Sequence, residues 1–463
     1  MLSIILSFKK NKDVKVLENK RIDITIIFQE QACDIAKFSI YLYPKINNDS
    51  NLEEMFLGLC KKVNVSYQKL ENYVYNGLLL VIFHNELYIF DLSKMPSRDV
   101  GDSNADPEST FGSRDGFVES YKENIAIIRS RLKCNNLNID EYVIGRRSKT
   151  NVLLLSIDDI HNKDILNRIK EKLNKIDVDA ILTIDDFIAY FASHLTFPTF
   201  QYLGNPDLAC RRLYQGEFVI VIDRIPVVLC IPTTISLATR FRVDESSMRL
   251  FPILERFILL LALIFSTIFL SVFASFITFQ NDCLSLLVLS ILKTSQKSVV
   301  VPIAIEILIV LGLFELYHLI GYRQSKTTIS STVVLIGGLI IGQNMMESGI
   351  AGVFIITFTA LAYLTGFVVS ANAQTIFSIS IVRICLLLAS FIYGFVGLCV
   401  ALTILGYLAY KDQMFNVAYF HPFIPFDLKD LRNFFVPTSA LKNIYRPDVL
   451  MVNDKTRRKN EKV

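Results

Sequence analysis

The sequence contains no tryptophan, so an aromatic belt at a membrane surface would have to be built from its 19 tyrosines and 34 phenylalanines. Its eight cysteines are scattered. With no C-x-x-C pair and no metal-type spacing, they exclude a zinc ribbon and fit structural thiols in a reducing compartment. The five histidines are isolated from one another, and no His/Cys/Asp arrangement suggests hydrolysis. The reading is a protein that is not an enzyme and calls for no cofactor and no metal. Charge of one sign is lacking too: 48 basic against 44 acidic residues leave a net +4, without the basic stripe a nucleic-acid partner needs. At the amino terminus, MLSIILSFKKNKD sets a short apolar run before its lysines. A secretory signal has the reverse order, so the soluble region is expected in the cytoplasm.

What the sequence has in excess is apolar length. It is 52% hydrophobic with a mean hydropathy of +0.41, and the excess is concentrated in residues 257–409. The expected fold is an α/β soluble region of two related subdomains followed by an all-α polytopic membrane bundle. The expected boundaries are an N-terminal α/β subdomain (1–95), a Pro/Gly/Ser/Asp-rich linker (96–115), a second α/β subdomain (116–235), a juxtamembrane segment (236–256), a transmembrane domain (257–412) and a basic tail (413–463). In the first subdomain, 37–44 and 78–92 read as β-rich, the latter a hairpin turning at His84-Asn85, and 51–72 has helical periodicity. In the second, helices are predicted over 116–132, 162–175 and 185–194, strands over 151–157 and 179–184, and a hairpin over 217–231. An internal echo supports duplication: YNGLLLVIFHNELYIFDL (75–92) aligns without gaps on YQGEFVIVIDRIPVVLCI (214–231). Residues 37–45 and 151–159 are the expected matching earlier strands.

A membrane span needs about 20 apolar residues to cross ~30 Å of hydrocarbon, and 257–279, 301–320, 351–371 and 384–409 qualify. Residues 329–347 carry Gly337, Gly338 and Gly342 and then break into polar residues, so they read as an interrupted or re-entrant segment. Residues 283–298, with Lys293 and Lys297, read as interfacial. Arg240, Arg242, Arg249 and Arg256, then Arg323 and Lys326, then the KTRRKNEKV tail are all expected on the cytoplasmic side. Four crossings plus a re-entrant segment satisfy these charges.

Ionisable residues at membrane depth are functional candidates because each is costly unless paired or wet. They are Glu306, Glu315, His318, Glu347 and Arg383. Glu306 and Glu315 lie about half a turn out of phase on a helix, so both cannot face one pore. Glu306 with Arg383 is the candidate ion pair. Gln343, Asn344, Glu347 and Glu315 are the candidate pore or gate. Ion pairs and helix–helix hydrogen bonds that merely hold the bundle together explain the same residues. The turn Gly145-Arg146-Arg147-Ser148-Lys149-Thr150 lacks P-loop glycine spacing. With Arg114, Arg129 and Arg131, its Arg146 and Arg147 form a candidate subunit-contacting basic face.

Several segments together resemble the A subunit of the GerA-type spore germination receptors. They are GSRDGFVESYKENIAIIRSRLKCNNL (112–137), IGRRSKTNVLLL (144–155), LYQGEFVIVIDRIPVVLCIPTT (213–234), Phe314-Glu315, LIGGLIIGQNMMESGI (335–350), Arg383 and FNVAYFHPFIPFDLKDL (415–431). The resemblance covers roughly 75–432. It departs from the family pattern at Ser113 (usually Pro), in RFRVDESSMRLF (240–251) and around Val310. It implies a subunit of a nutrient-sensing complex in the inner membrane of an endospore. Such a subunit is a homo-oligomer, ring-forming in membrane lipid and acting as a ligand-gated ion channel with a transporter-like B subunit and a lipoprotein C subunit. The alternative is a non-conducting scaffold or accessory subunit of the dipicolinate-release machinery. A transporter acting alone fits less well, because the spans are few and show no inverted repeat.

Overall fold

The runs LLLVIF and FVIVI are apolar at consecutive positions, as strands covered on both faces must be, and both are central strands of sheets. The structure, a computed structural model, describes residues 8, 11, 13–19, 23–30, 32–34, 37, 61–62, 67–84, 86–93, 115–192, 197, 199–235, 250–323, 342–369, 373–411, 413–428, 431, 446 and 448–456. They fall into two units. The first comprises Met1–His194, Phe200–Thr233 and Ile444–Val463, the second Leu195–Thr199 and Thr234–Asn443.

The first unit is a structural duplication. Its first repeat holds β1 (Val14–Asn19), β2 (Ile24–Gln29), β3 (Lys61–Lys62), helix α1 (Tyr67–Tyr75), β4 (Leu78–Phe83) and β5 (Glu86–Asp91). The second holds helix α2 (Tyr121–Arg131), β6 (Leu137–Ile144), β7 (Thr150–Ile157), helices α3 (Lys163–Lys175) and α4 (Ile184–Ala192), β8 (Gln201–Leu203), helix α5 (Pro206–Gln215), β9 (Phe218–Ile222) and β10 (Val228–Ile231). Both sheets are antiparallel with the same order, β1-β2-β4-β5-β3 and β6-β7-β9-β10-β8. Alternation divides the first sheet into two cores: Ile24, Ile26, Phe28, Leu79 and Val81 on one face, and Ile27, Leu80, Ile82 with Leu70 and Val74 of α1 on the other.

The echoed hairpins are β4–β5 and β9–β10, but the matching earlier strand is Ile24–Gln29, which pairs with β4 as β7 pairs with β9. Residues 38–50 lie outside the described residues. The predicted strand at 179–184 is not one. Thr183 and Asp186 close a reciprocal cap: the Thr183 Oγ1 accepts from Asp186 N at 3.1 Å, and the Asp186 Oδ2 accepts from Thr183 N at 2.9 Å. That starts α4 and leaves the preceding residues irregular.

The second unit is helical: α6 (Leu250–Ile264), a π-helical turn (Phe265–Phe269), α7 (Leu270–Phe279), α8 (Leu286–Ser295), α9 (Ile303–Arg323), α10 (Val353–Val369) and α11 (Ala373–Lys411). Three stretches, Arg256–Phe279, Ile303–Ile320 and Thr375–Lys411, are long and apolar enough to cross a membrane. Contacts fix their directions. Phe354 meets Phe273 at 5.8 Å, Gly366 lies against Ser266, and Val369 packs with Ala262, so α10 runs antiparallel to α6–α7. By contrast α9 advances in step with α10. Glu306 meets Gly352, Phe314 meets Tyr363 at 5.3 Å, and His318 meets Phe367 at 5.4 Å.

The expected single span 384–409 is replaced by two antiparallel legs. Drawn straight, the 37 residues of Thr375–Lys411 would run about 55 Å, well beyond the hydrocarbon. The chain instead reverses at Gly394, whose φ of 63° and ψ of −143° suit only glycine. Gly397 comes against the carbonyl of Ala389, Phe395 meets Phe276 at 6.0 Å, and Gly394 abuts Phe279. At the other end, Val382 and Ala409 share one cluster with Leu263, Ile235 and Tyr419. Ile235 N donates to Tyr419 O at 2.7 Å, so the chain enters and leaves this unit at the same end.

Candidate functional site

Arg383 is the centre of the buried polar chemistry of the helical unit. Its Nη2 donates to Glu315 Oε1 at 2.6 Å and to Ser380 Oγ at 3.1 Å, and Nη1 reaches Ala362 O at 3.4 Å. The guanidinium carbon lies 5.0 Å from the centre of the Tyr363 ring. Arg383 is 1% exposed and the Glu315 side chain 21%, so the pair is anchored inside while its carboxylate reaches the surface of the unit. Ion pairing and the ring face together make a guanidinium tolerable at membrane depth.

The expected pair of Arg383 with Glu306 is therefore corrected to Arg383 with Glu315. Glu306 is fully buried elsewhere. Its Oε1 accepts from Gly352 N, at the start of α10, and its Oε2 accepts from Gln296 Nε2, both at 2.6 Å. A carboxylate at a helix N-terminus is favoured by the helix dipole, and here it joins the ends of α8, α9 and α10.

In the short helical stretch 342–347, Gln343, Asn344 and Glu347 are exposed, and Gln343 Nε2 donates to Glu347 Oε1 at 3.0 Å. Met345, between them, is buried with Val310 and Ala351. The stretch turns its apolar side to its own bundle and its polar side outward. Residues 324–341, including Gly337 and Gly338, lie outside the described residues.

The expected basic face of the soluble unit is not a free surface. Arg129 is fully buried. Its Nε and Nη2 donate to both carboxylate oxygens of Asp13 at 2.6 and 2.8 Å, and the remaining donors reach Cys134 O and Leu137 O. The Tyr75 ring covers it at 4.5 Å, and burial pushes the Tyr75 hydroxyl pKa up. This cluster ties the first repeat to the second. Arg131 pairs with Asp115 and with Asp207, which lies at the start of α5. Arg146 pairs with Asp177 at the surface, which lowers the Asp177 carboxyl, and Arg147 is exposed. Arg114 lies outside the described residues. Sequence reasoning missed Asp13, Tyr363 and Gln296. Only Ser380, one helical turn before Arg383, carried a local signal for its contact.

A sequence profile described as Bacillus/Clostridium GerA spore germination protein matches residues 4–449. The chain is 29% identical to spore germination protein XA of Bacillus anthracis, over 98% of this chain and 96% of that protein. It is 28% identical to spore germination protein KA of Bacillus subtilis, over 86% and 73%. It is 25% identical to stage V sporulation protein AF of Bacillus subtilis, over 83% and 78%. Among solved structures, the N-terminal domain of the A subunit of the Bacillus megaterium spore germinant receptor GerK3 is similar at a TM-score of 0.36 and 23% identity, covering 50% of this chain and 92% of that one.

Proposed function

The chain belongs to the Bacillus/Clostridium GerA spore germination protein family, and from that premise we propose that it is the membrane subunit of a nutrient germinant receptor that assembles into an oligomeric, ligand-gated ion channel. The observation that carries this reading is the outward polar face of Gln343, Asn344 and Glu347 beside the inward Met345. A polar face in a unit otherwise coated with exposed apolar side chains such as Leu286, Val300 and Val396 needs water or a neighbouring copy against it. A ring of copies around a polar path supplies both. The transporter-like B subunit and the lipoprotein C subunit are the proposed partners, with the nutrient held by B.

The proposed location is the inner membrane of the endospore, with the soluble unit and the tail on the core side. Arg240, Arg242 and Arg249 ahead of α6, Arg256 in its second turn and Lys411 at the end of α11 favour that orientation, with Lys293 and Lys297 as the minority charge. A second reading, a non-conducting accessory subunit of the dipicolinate-release machinery, draws on the similarity to a stage V sporulation protein. Ion flux separates the two. The purified chain in liposomes, with and without B and C, should conduct, and spores carrying Glu347→Ala with Gln343→Leu should release ions at least tenfold more slowly. Normal release by that variant removes the pore assignment, and absence of flux under every condition favours the accessory reading.

A further inference from the structure

The two repeats of the soluble unit each end a helix on Tyr-x-Gly, and in both the glycine is left-handed, with φ of +81° at Gly77 and +95° at Gly216. What lies over the glycine differs. In the first repeat it is the backbone of Ala32 and Ser93, held by the Cys33–Ser93 bridge and by Cys33 Sγ donating to Gly77 O at 3.2 Å. In the second repeat the place is taken by Val452, from the far end of the chain, with Ile160 also beside Gly216.

The surroundings form a built seat. Val452 and Leu450 are 4% and 1% exposed. Asn453 N donates to Ile160 O at 3.0 Å and Asn453 Nδ2 to His161 O at 2.8 Å, while Asn162 Nδ2 donates to Met451 O at 3.2 Å. Arg446 Nε donates to Tyr214 O at 2.9 Å, in the last turn of α5, where helix carbonyls lack intrahelical partners. Its Nη1 gathers Asp454 O, Asp454 Oδ2 and Thr456 O at 2.7 to 2.8 Å, closing the segment on itself.

We propose that Arg446 together with the segment 448–456 is a strap, an internal peptide ligand that the second repeat recognises through the Gly216 slot, the Ile160 and His161 carbonyls and the end of α5. The occupant is this chain's own tail. It is the segment seated there, and covalent connection raises its effective concentration above that of any free peptide. Recognition is by backbone carbonyls, the Asn162, Asn453 and Arg446 side chains and the buried Val452 and Leu450, so the strap can leave without opening either sheet. The equivalent slot in the first repeat is closed by its own chain, so the duplication supplies one open seat.

The test uses the full chain in membrane vesicles and trypsin cleavage after Lys455, a residue of the strap. Val452→Asp and Asn453→Ala alter only the tail, whereas substitution of Gly216 could misfold the repeat. Cleavage should rise by about tenfold or more for Val452→Asp and several-fold for Asn453→Ala, with no new cut between residues 115 and 235. In a second measurement, a chain ending at Asn443 should bind a synthetic peptide of residues 444–463 saturably and not bind its Val452→Asp form. Equal cleavage of the original and Val452→Asp tails, no peptide binding, or a photo-crosslinker at position 452 that joins only separate copies would each overturn the proposal.

Discussion

Arg129 and Asp13 are fully desolvated and satisfy each other, so their value lies in not being separated. Arg129→Met alone strands a buried carboxylate and should cost about 3–5 kcal/mol, whereas Arg129→Met with Asp13→Leu should recover most of that loss in denaturant unfolding of the chain. The sequence shows Arg129 as one of several basic residues in a helix. Its partner stands 116 positions earlier, and no local pattern announces it. Two strap-side groups titrate in opposite charge senses but the same pH direction. Burial lowers the His161 pKa from 6.5, against favourable contacts with Ile157 O and Asp158, and with Lys170 and Lys163 opposing its charge. Asp454 is held at about 2 by the Thr456 hydroxyl and N–H and by Arg446. Neutral His161 thus stabilises the fold above pH 6.5 and loses that contribution as pH falls. Ionised Asp454 contributes above its ordinary 3.8 and loses it as pH falls toward 2. Tail protection should therefore weaken as pH falls from 3.8 toward 2, and Asp454→Asn should abolish that loss, while the stability of the repeat falls separately below pH 6.5 through His161.

Elements were most legible where one residue pattern decides them. The hairpins at 78–92 and 217–231, the helix at Lys163–Lys175 with its Asn162 cap, and the apolar rods of the helical unit all follow from periodicity and turn residues. The strand wrongly expected at 179–184 yielded to a cap, and the early matching strand was hidden because Ile24–Gln29 makes sense only once its neighbours are paired. The costliest misreading was Tyr393-Gly394-Phe395-Val396-Gly397, which looks like the middle of a span because hydropathy does not register φ. Gly394→Val should destabilise the helical unit by about 2–4 kcal/mol, from left-handed strain together with the clash against Phe279. Gly406→Ala is the control. An added Cβ there meets nothing within 4 Å, and thermal melting in detergent should show a neutral effect or a gain of up to about 1 kcal/mol.

At the scale of the molecule, the reversal at Gly394 changes the count of passes. With 384–409 as one span, a full crossing by 329–347 would leave the tail opposite the soluble unit, and a re-entrant segment was needed to avoid that. With two legs in α11, the helical unit brings Ile235 and Tyr419 together at one end. The same geometry dictates which residues meet each face. Phe279, Asp282 and Tyr393 belong to one end and Lys411 to the other, and Tyr393 is 73% exposed. In a cysteine-free background, Tyr393→Cys and Asp282→Cys should react with a membrane-impermeant maleimide from one side, and Lys411→Cys only from the opposite side. The single-span alternative puts position 393 in the hydrocarbon, where a thiol is unreactive from either side. Labelling of Tyr393→Cys on the Asp282 side would therefore establish the reversal, and its silence from both sides would return the count to one span.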